Sequence, residues 1–350
     1  MMGAIKCLIG FIITSIWWVS SCVDRVDLNL PEIPDLVVVD GGMILGQDTQ
    51  TLKLTYADRI NKRVFKPLTE ALVTVCNGQL YEAYLEQQPG EYKLPGKLIQ
   101  PQLGLPYHVE IKLKDGTTFI SAPEVLQPVI PIDALSFKVE TQDKIINTSV
   151  QVKRSLFISA EVTIPESKSY YKINYDRVYI VSEFQCHPLK PVSACYIYDS
   201  SQLKPPILIN ASFFTPGQTV GFTLPGFDLD YKLAEKNSFR IRLESLSSQA
   251  YLYYTQLKMV LNSGQSIFDI APAQIKGNLH TAVGSMEVLG YFRVGSRHEK
   301  VLFTTTGDFS VPNFPNPLCG IPGIPNYNNL ENCCDCLTLP YSSKIRPGYW

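Results

Sequence analysis

The sequence predicts a mostly β fold, with an N-terminal immunoglobulin-like sandwich followed by a larger β-rich domain that carries one main helix. Three observations predict it. Apolar and polar residues alternate at period two in short runs, as in Thr51-Leu52-Lys53-Leu54-Thr55-Tyr56 and His108-Val109-Glu110-Ile111-Lys112-Leu113. That is the pattern of half-buried strands. Turn chemistry separates the runs, most clearly at Asp115-Gly116, a hairpin signal leading into Thr117-Thr118-Phe119-Ile120. Composition agrees, because 19 Tyr, 16 Phe and 25 Pro stand beside only 18% charged residues, which suits strands broken by many turns.

The N-terminus is read first. Lys6 precedes an apolar run from Cys7 to Ile13, continued by Ile16, Trp17 and Trp18, and Val19-Ser20-Ser21 stands before Cys22. A basic start, an apolar stretch and small residues at a cut site make residues 1–21 a secretory signal. The run is shorter than the roughly 20 apolar residues a spanning helix needs. A cysteine at the first mature position marks a lipoprotein, with Cys22 the acylated residue. Its lipid chains would hold the membrane at about 0.8 kcal/mol per buried methylene. Residues 22–34, with Asp24, Asp27 and Glu32, read as a tether.

Residues 35–122 form the expected sandwich. Leu36-Val37-Val38-Val39, Thr51–Tyr56, Leu72-Val73-Thr74-Val75, the segment after Gly90, His108–Leu113 and Thr117–Ile120 are its strands. Many short strands in so short a region indicate two packed sheets. Pro123, Pro128 and Pro131 mark a stiff connection over 123–131, because proline interrupts strand ladders. Strand pattern resumes over 132–310 in Leu156–Ile164, Tyr170–Phe184, Ile207–Phe213 and Phe239–Leu243. A helix over 248–262 interrupts it, with Ser247 or Ser248 as cap and Gly264 as stop. Ala250, Tyr253, Tyr254, Leu257, Val260 and Leu261 fall on one stripe, expected to pack on a sheet. Residues 311–350 are a cysteine- and proline-rich tail, read either as a presented surface or as a segment that packs back on the second domain.

Cysteine usage points to an oxidising compartment. Besides Cys7 in the signal and Cys22, the chain carries Cys76, Cys186, Cys195, Cys319, Cys333, Cys334 and Cys336. The last six are disulfide candidates. Cys186 is expected to pair with Cys195 across a turn, and Cys319 with one of Cys333, Cys334 or Cys336, while Cys76 stays a buried thiol. Four tail thiolates are also a zinc candidate. Adjacent cysteines chelate one tetrahedral ion poorly, so disulfide stapling is preferred and no metal or other cofactor is expected. Asp228 and Asp230 are calcium candidates, with a solvated turn as the simpler reading.

Charge excludes some functions. Loss of Lys6 with the signal leaves 30 basic against 32 acidic residues. That gives no basis for nucleic-acid binding, which needs concentrated positive charge. His108, His187, His280 and His298 stand in no motif with a nucleophile, and no Gly-rich phosphate loop or His-Glu-x-x-His occurs. The expectation is therefore a protein that is not an enzyme.

Several segments, in order, carry a resemblance. They are Cys22, Leu36-Val37-Val38-Val39-Asp40, Pro131-Ile132-Asp133 and the helix running into Phe268-Asp269-Ile270-Ala271-Pro272. Gly277-Asn278, Gly290-Tyr291-Phe292, Cys333-Cys334-Asp335-Cys336 and Pro347-Gly348-Tyr349-Trp350 complete the series. In this arrangement the chain resembles the DUF4249 family of Bacteroidota lipoproteins. The resemblance implies a lipid-anchored outer-membrane protein, on the periplasmic or the outer face, with a TonB-dependent receptor as partner. A structural or assembly component of the cell envelope without a small-molecule ligand is the alternative.

Overall fold

The computed structural model describes residues 36–57, 66–94, 99–146, 149–184, 186, 191–200, 205–263, 275–309, 318 and 333–350. The signal segment, the tether, Cys22, Gly264, Phe268–Pro272 and Cys319 lie outside them. Residues Asp35–Trp350 form one compact unit, mostly β with one long helix. Among the described residues no helix is long and apolar enough to cross a membrane.

The first core is a sandwich. One layer runs from β1 (Leu36–Leu45) through β2 (Thr51–Tyr56) to β6 (Glu91–Lys93), and the other joins β4 (Leu72–Cys76), β7 (Pro106–Lys112) and β8 (Thr118–Ser121). Strand β5 (Tyr81–Gln88) belongs to both, pairing with β4 and then, past an irregularity between Glu86 and Gln88, with β6. Such a bulge lets a strand turn the corner between sheets. Val37, Val39, Leu52, Leu54, Val73, Val75, Val109 and Ile111 alternate inward and meet Tyr92, Tyr107 and Phe119 in the core. At the Asp115-Gly116 turn, Gly116 adopts φ +91° and Thr117 N–H bonds Asp115 Oδ1 at 2.9 Å.

The contiguous domain boundary drawn from the sequence differs from this arrangement. Strand β18 (Leu279–Val283) pairs with β8, and Phe292 and Val294 are buried in the first core, although they come from the far end of the chain. They belong to β19 (Glu287–Thr304), 18 residues long. Its residues Glu287–Ser296 run parallel to β1, and Arg297–Thr304 run antiparallel to β17 (Asn237–Leu246). One strand of about 60 Å thus serves two sandwiches. Gly290 permits the crossing: at φ +100° a Cβ there would lie 1.9 Å from the Val39 carbonyl oxygen. Asn278 locks it, accepting from Phe292 N–H at 2.9 Å and donating to its carbonyl at 2.8 Å.

The second sandwich stacks the sheet of β12 (Tyr170–Ser182), β13 (Ala194–Ser200), β17 and the end of β19 on the sheet of β10 (Ala134–Ile146), β11 (Ser149–Thr163) and β15 (Thr219–Thr223). Leu156, Ile158, Ala160 and Val162 of β11 face Tyr171, Ile173, Phe239, Ile241 and Leu243. The proline-rich connection is bonded into both halves. Leu126 lies in the first core and Val129 and Ile130 pack on the second, while Gln127 O accepts from Ser245 Oγ and Ser296 Oγ at 2.6 and 2.7 Å. Helix α1 (Ser248–Ser263) is capped by Ser247, whose Oγ accepts from Ala250 N–H at 3.1 Å. Ala250 and Tyr254 are buried, with Tyr253 and Leu257 partly so, and Tyr251 stacks on Tyr170 at 4.7 Å. Leu261, placed on the same stripe from sequence, is exposed instead.

The described part of the tail packs back on the second sandwich. Disulfides join Cys186 to Cys334 and Cys195 to Cys336, and Cys76 is a buried free thiol. The expected Cys186–Cys195 pair is therefore corrected. The β12–β13 register puts Val181 opposite Cys195, so Cys186 lies five positions further along, out of reach. Cys333 is disulfide-bonded as well, and Cys319, the expected partner of one tail cysteine, lies outside the described residues. Trp350 meets Tyr196 and Phe303 edge-on at 5.2 and 5.6 Å.

Candidate functional site

Alternation sends two kinds of side chain from the same strands. On β17, Phe239, Ile241 and Leu243 enter the core, so Arg240, Arg242 and Glu244 stand on the opposite face. There Asn174 of β12 is opposite Arg242, Asp176 is opposite Arg240 and Lys172 is opposite Glu244. On the other side of β17, Glu299 faces Arg242 and Arg297 faces Glu244. The result is a charged floor with Arg242 at its centre. Helix α1 covers one end, where Tyr254 lies against Lys172 Nζ at 4.2 Å from the ring centre. The tail covers the other, where Tyr349 lies 4.7 Å from the Arg240 guanidinium.

Glu244 anchors the helix end of the floor. It is 0% exposed and accepts from Arg297 Nε at 3.0 Å and Asn174 Nδ2 at 3.1 Å, with Arg293 Nη2 and Lys172 Nζ each at 3.5 Å. Burial alone would raise its pKa, but Arg293, Lys172 and Arg297 outweigh burial and hold the carboxyl well below the usual range. Arg293 also donates to Tyr254 Oη at 2.8 Å. Burial opposes its charge, yet Tyr254, Glu244 and Asp40 raise its pKa. A second buried acid lies nearby. Glu124 of β9 (Glu124–Val125) accepts from Tyr291 Oη, and burial pushes its pKa up, against the hydrogen bonds of Tyr291 and Ser247.

At the centre the balance is different. Asp176 receives Arg240 through Nε at 3.2 Å and Nη2 at 2.8 Å and also receives Arg242 Nη2. One carboxylate is shared by two guanidiniums. Arg242 Nε is buried with no hydrogen-bond partner among the described residues. Burial lowers the pKa of Arg242; Asp176 opposes this, and the charges of Arg240 and Arg297 lower it further.

The sheet's other face holds the sequence-flagged acids. A cavity of about 380 Å³ is lined by Arg177, Asp199, Gly226, Phe227, Asp228, Asp230 and Lys232. Asp230 Oδ1 accepts from Lys232 N–H at 2.9 Å and caps a short turn, while Asp228 receives Ser155 Oγ at 3.4 Å. Asp230 is thus engaged at a turn, and Asp228 ends a short strand, Phe227–Asp228, paired with β11. Among the described residues, the group close enough to hold a metal is Glu183 with the sulfurs of Cys195 and Cys336. Those sulfurs are bonded to each other, so they are not thiolate ligands. His298 Nδ1 accepts from Ile132 N–H at 3.1 Å, and His108 stands opposite Cys76 on the first sandwich.

Sequence reasoning did not single out the floor. The available signal was Arg240-x-Arg242-x-Glu244, Lys172-x-x-x-Asp176 and Arg297-x-Glu299, whose even spacing puts each set on one strand face. Alone, each reads as an ordinary solvated face; pairing of three strands brings them together. Comparison with curated proteins finds none that matches the chain. A family model described as a domain of unknown function matches residues 23–301. The chain therefore belongs to the DUF4249 family.

Proposed function

We propose that the protein works by binding rather than by catalysis, as a lipid-anchored outer-membrane accessory of a TonB-dependent transporter. The observation that carries the binding reading is the charged floor, set on three paired strands between α1 and the tail. Its chemistry favours recognition. Glu244 is held ionised by three cations and is a poor proton acceptor near neutral pH. The guanidiniums are fixed donors suited to carboxylate or phosphate partners. The anchor is Cys22, and the DUF4249 resemblance supplies the partner class.

The test is a pull-down of tagged protein from detergent-solubilised outer membrane, alongside fatty-acid labelling of wild type and Cys22→Ala. Recovery of one TonB-dependent barrel, with label lost in Cys22→Ala, supports the proposal. Recovery of assembly proteins or of nothing favours an envelope structural component. Label retained on Cys22→Ala removes the anchor.

A further inference from the structure

The cations of this face outnumber its acids. Lys172, Arg240, Arg242, Arg293 and Arg297 stand against Asp176, Glu244 and Glu299, with Asp40 beside Arg293 at the helix end. The acids are not evenly shared. Glu244 alone is shared by Lys172, Arg293 and Arg297, and Asp176 is divided between Arg240 and Arg242, so neither carboxylate balances the cations around it. Arginine has five N–H donors. Among the described residues Arg242 uses one, through Nη2 to Asp176. Its side chain keeps 18% exposure, so part of the guanidinium remains reachable from outside.

We infer that the floor centred on Arg242 is a binding site for a multivalent oxyanion, a small acid presenting carboxylate or phosphate groups. Three strands and five positions along β12 give a surface of about 10 by 13 Å, the scale of such a ligand. Tyr254 over Lys172 and Tyr349 over Arg240 bound it along the strands. A partly buried guanidinium between two others is costly while the floor is empty. The burial and like-charge repulsion that lower the pKa of Arg242 are relieved when an anion arrives. Bidentate pairing then adds the stronger, charge-assisted kind of hydrogen bond. Asp176 and Glu244 keep the neighbouring guanidiniums in position, so little ordering is left for the ligand to impose.

This inference deepens the binding reading and rests on it for the claim that this face meets a ligand. The experiment is calorimetric titration of the purified mature protein with citrate and, separately, with inorganic phosphate, at low ionic strength. Arg242→Gln and Arg242→Lys are titrated in parallel, and each free protein is melted. We expect one-to-one binding of citrate, phosphate or both, at least tenfold weaker in Arg242→Gln and intermediate in Arg242→Lys, which keeps the charge but loses the fork. Citrate alone would assign carboxylates, phosphate alone a phosphoryl group. If Arg242→Gln fails to fold, loss of the fork in Arg242→Lys carries the test. No binding of either anion at about a hundred times the micromolar range expected of a specific site would overturn the inference, as would equal binding by both variants. A barrel recovered in the pull-down without anion binding sinks this inference and leaves the transporter reading standing. Anion binding without a barrel does the reverse.

Discussion

Replacing Glu244 by Gln should be among the most damaging conservative changes in the chain. The carboxylate is fully buried and holds Lys172, Arg293 and Arg297, which come from β12 and β19 on either side of β17. Glutamine keeps the volume and one acceptor oxygen but removes the negative charge. Three cations then face one another in a site where water does not screen them. Removing one partner of a buried ion pair typically costs about 3–5 kcal/mol, because the remaining charge is left uncompensated. Whole domains are stable by only about 5–15 kcal/mol. At about 2–4 °C per kcal/mol for domains of 150–250 residues, melting should fall by roughly 6–20 °C. Urea unfolding followed by circular dichroism measures the free-energy loss directly. The pH dependence has a definite sign. The folded pKa of Glu244 is depressed, so its contribution is complete above the ordinary Glu value near pH 4.3 and is lost as pH falls toward the folded pKa. Wild type should therefore begin to approach Glu244→Gln only as pH falls below about 4, and meet it near the depressed folded value. A loss under about 1 kcal/mol at neutral pH would refute the reasoning, since that is the scale of an exposed pair.

Three further outcomes are expected. Glu124 has a raised pKa, so the folded state binds its proton more tightly than the unfolded chain, and stability declines as pH rises through the folded value. Glu124→Gln should gain on wild type in melting scans from about pH 4 to about pH 8, and a constant difference would count against it. Non-reducing peptide mapping should recover Cys186–Cys334 and Cys195–Cys336, and the double replacement Cys195→Ser, Cys336→Ser should cost about 2–5 kcal/mol in urea unfolding. Gly290→Ala should cost more than about 3 kcal/mol or prevent accumulation, because its Cβ would meet the Val39 carbonyl at 1.9 Å; a melting curve like that of wild type would contradict the β1–β19 crossing.

Local pattern was enough for the elements whose partners are near in sequence. Thr51–Tyr56 is a strand with the limits its alternation implies, and Ser247 caps the helix that follows it. Legibility ends where pairing is distant. Apart from Tyr81 and Tyr84, Tyr81–Gln88 consists of Glu, Ala, Leu and Gln, and its extended form is fixed by the two sheets that meet at it. The role of β19 depends on a parallel pairing with β1 from the other end of the described chain. Nothing in residues 287–304 announces that partner. Cys195 and Cys336 show the same limit, since spacing favours a near cysteine and register decides for a distant one. The charged floor was hidden for a related reason. Each of its strands carries an unremarkable polar alternation, and only the lateral order β12, β17, β19 stacks the charges.

That lateral order also explains why the floor and the fold are hard to separate. Tyr291, Arg293, Arg297, Glu299 and Phe303 all belong to β19, the strand that both sandwiches share. Tyr291 meets Tyr253 of the helix at 5.0 Å, and Phe303 meets Trp350 of the tail. The helix, the floor and the tail therefore lie along one continuous strand. Strand β17, which carries Arg240 and Arg242, is paired with β12 on one side and β19 on the other, so ligand groups would meet guanidiniums at nearly fixed spacing. The same arrangement sets the cost of keeping the site. Glu244 does not face a ligand directly; it restrains the cations that would otherwise repel one another while Arg242 is left under-neutralised. The buried carboxylate and the partly buried guanidinium are two parts of one device. Changes at Glu244 should register first as instability, and changes at Arg242 first as lost binding.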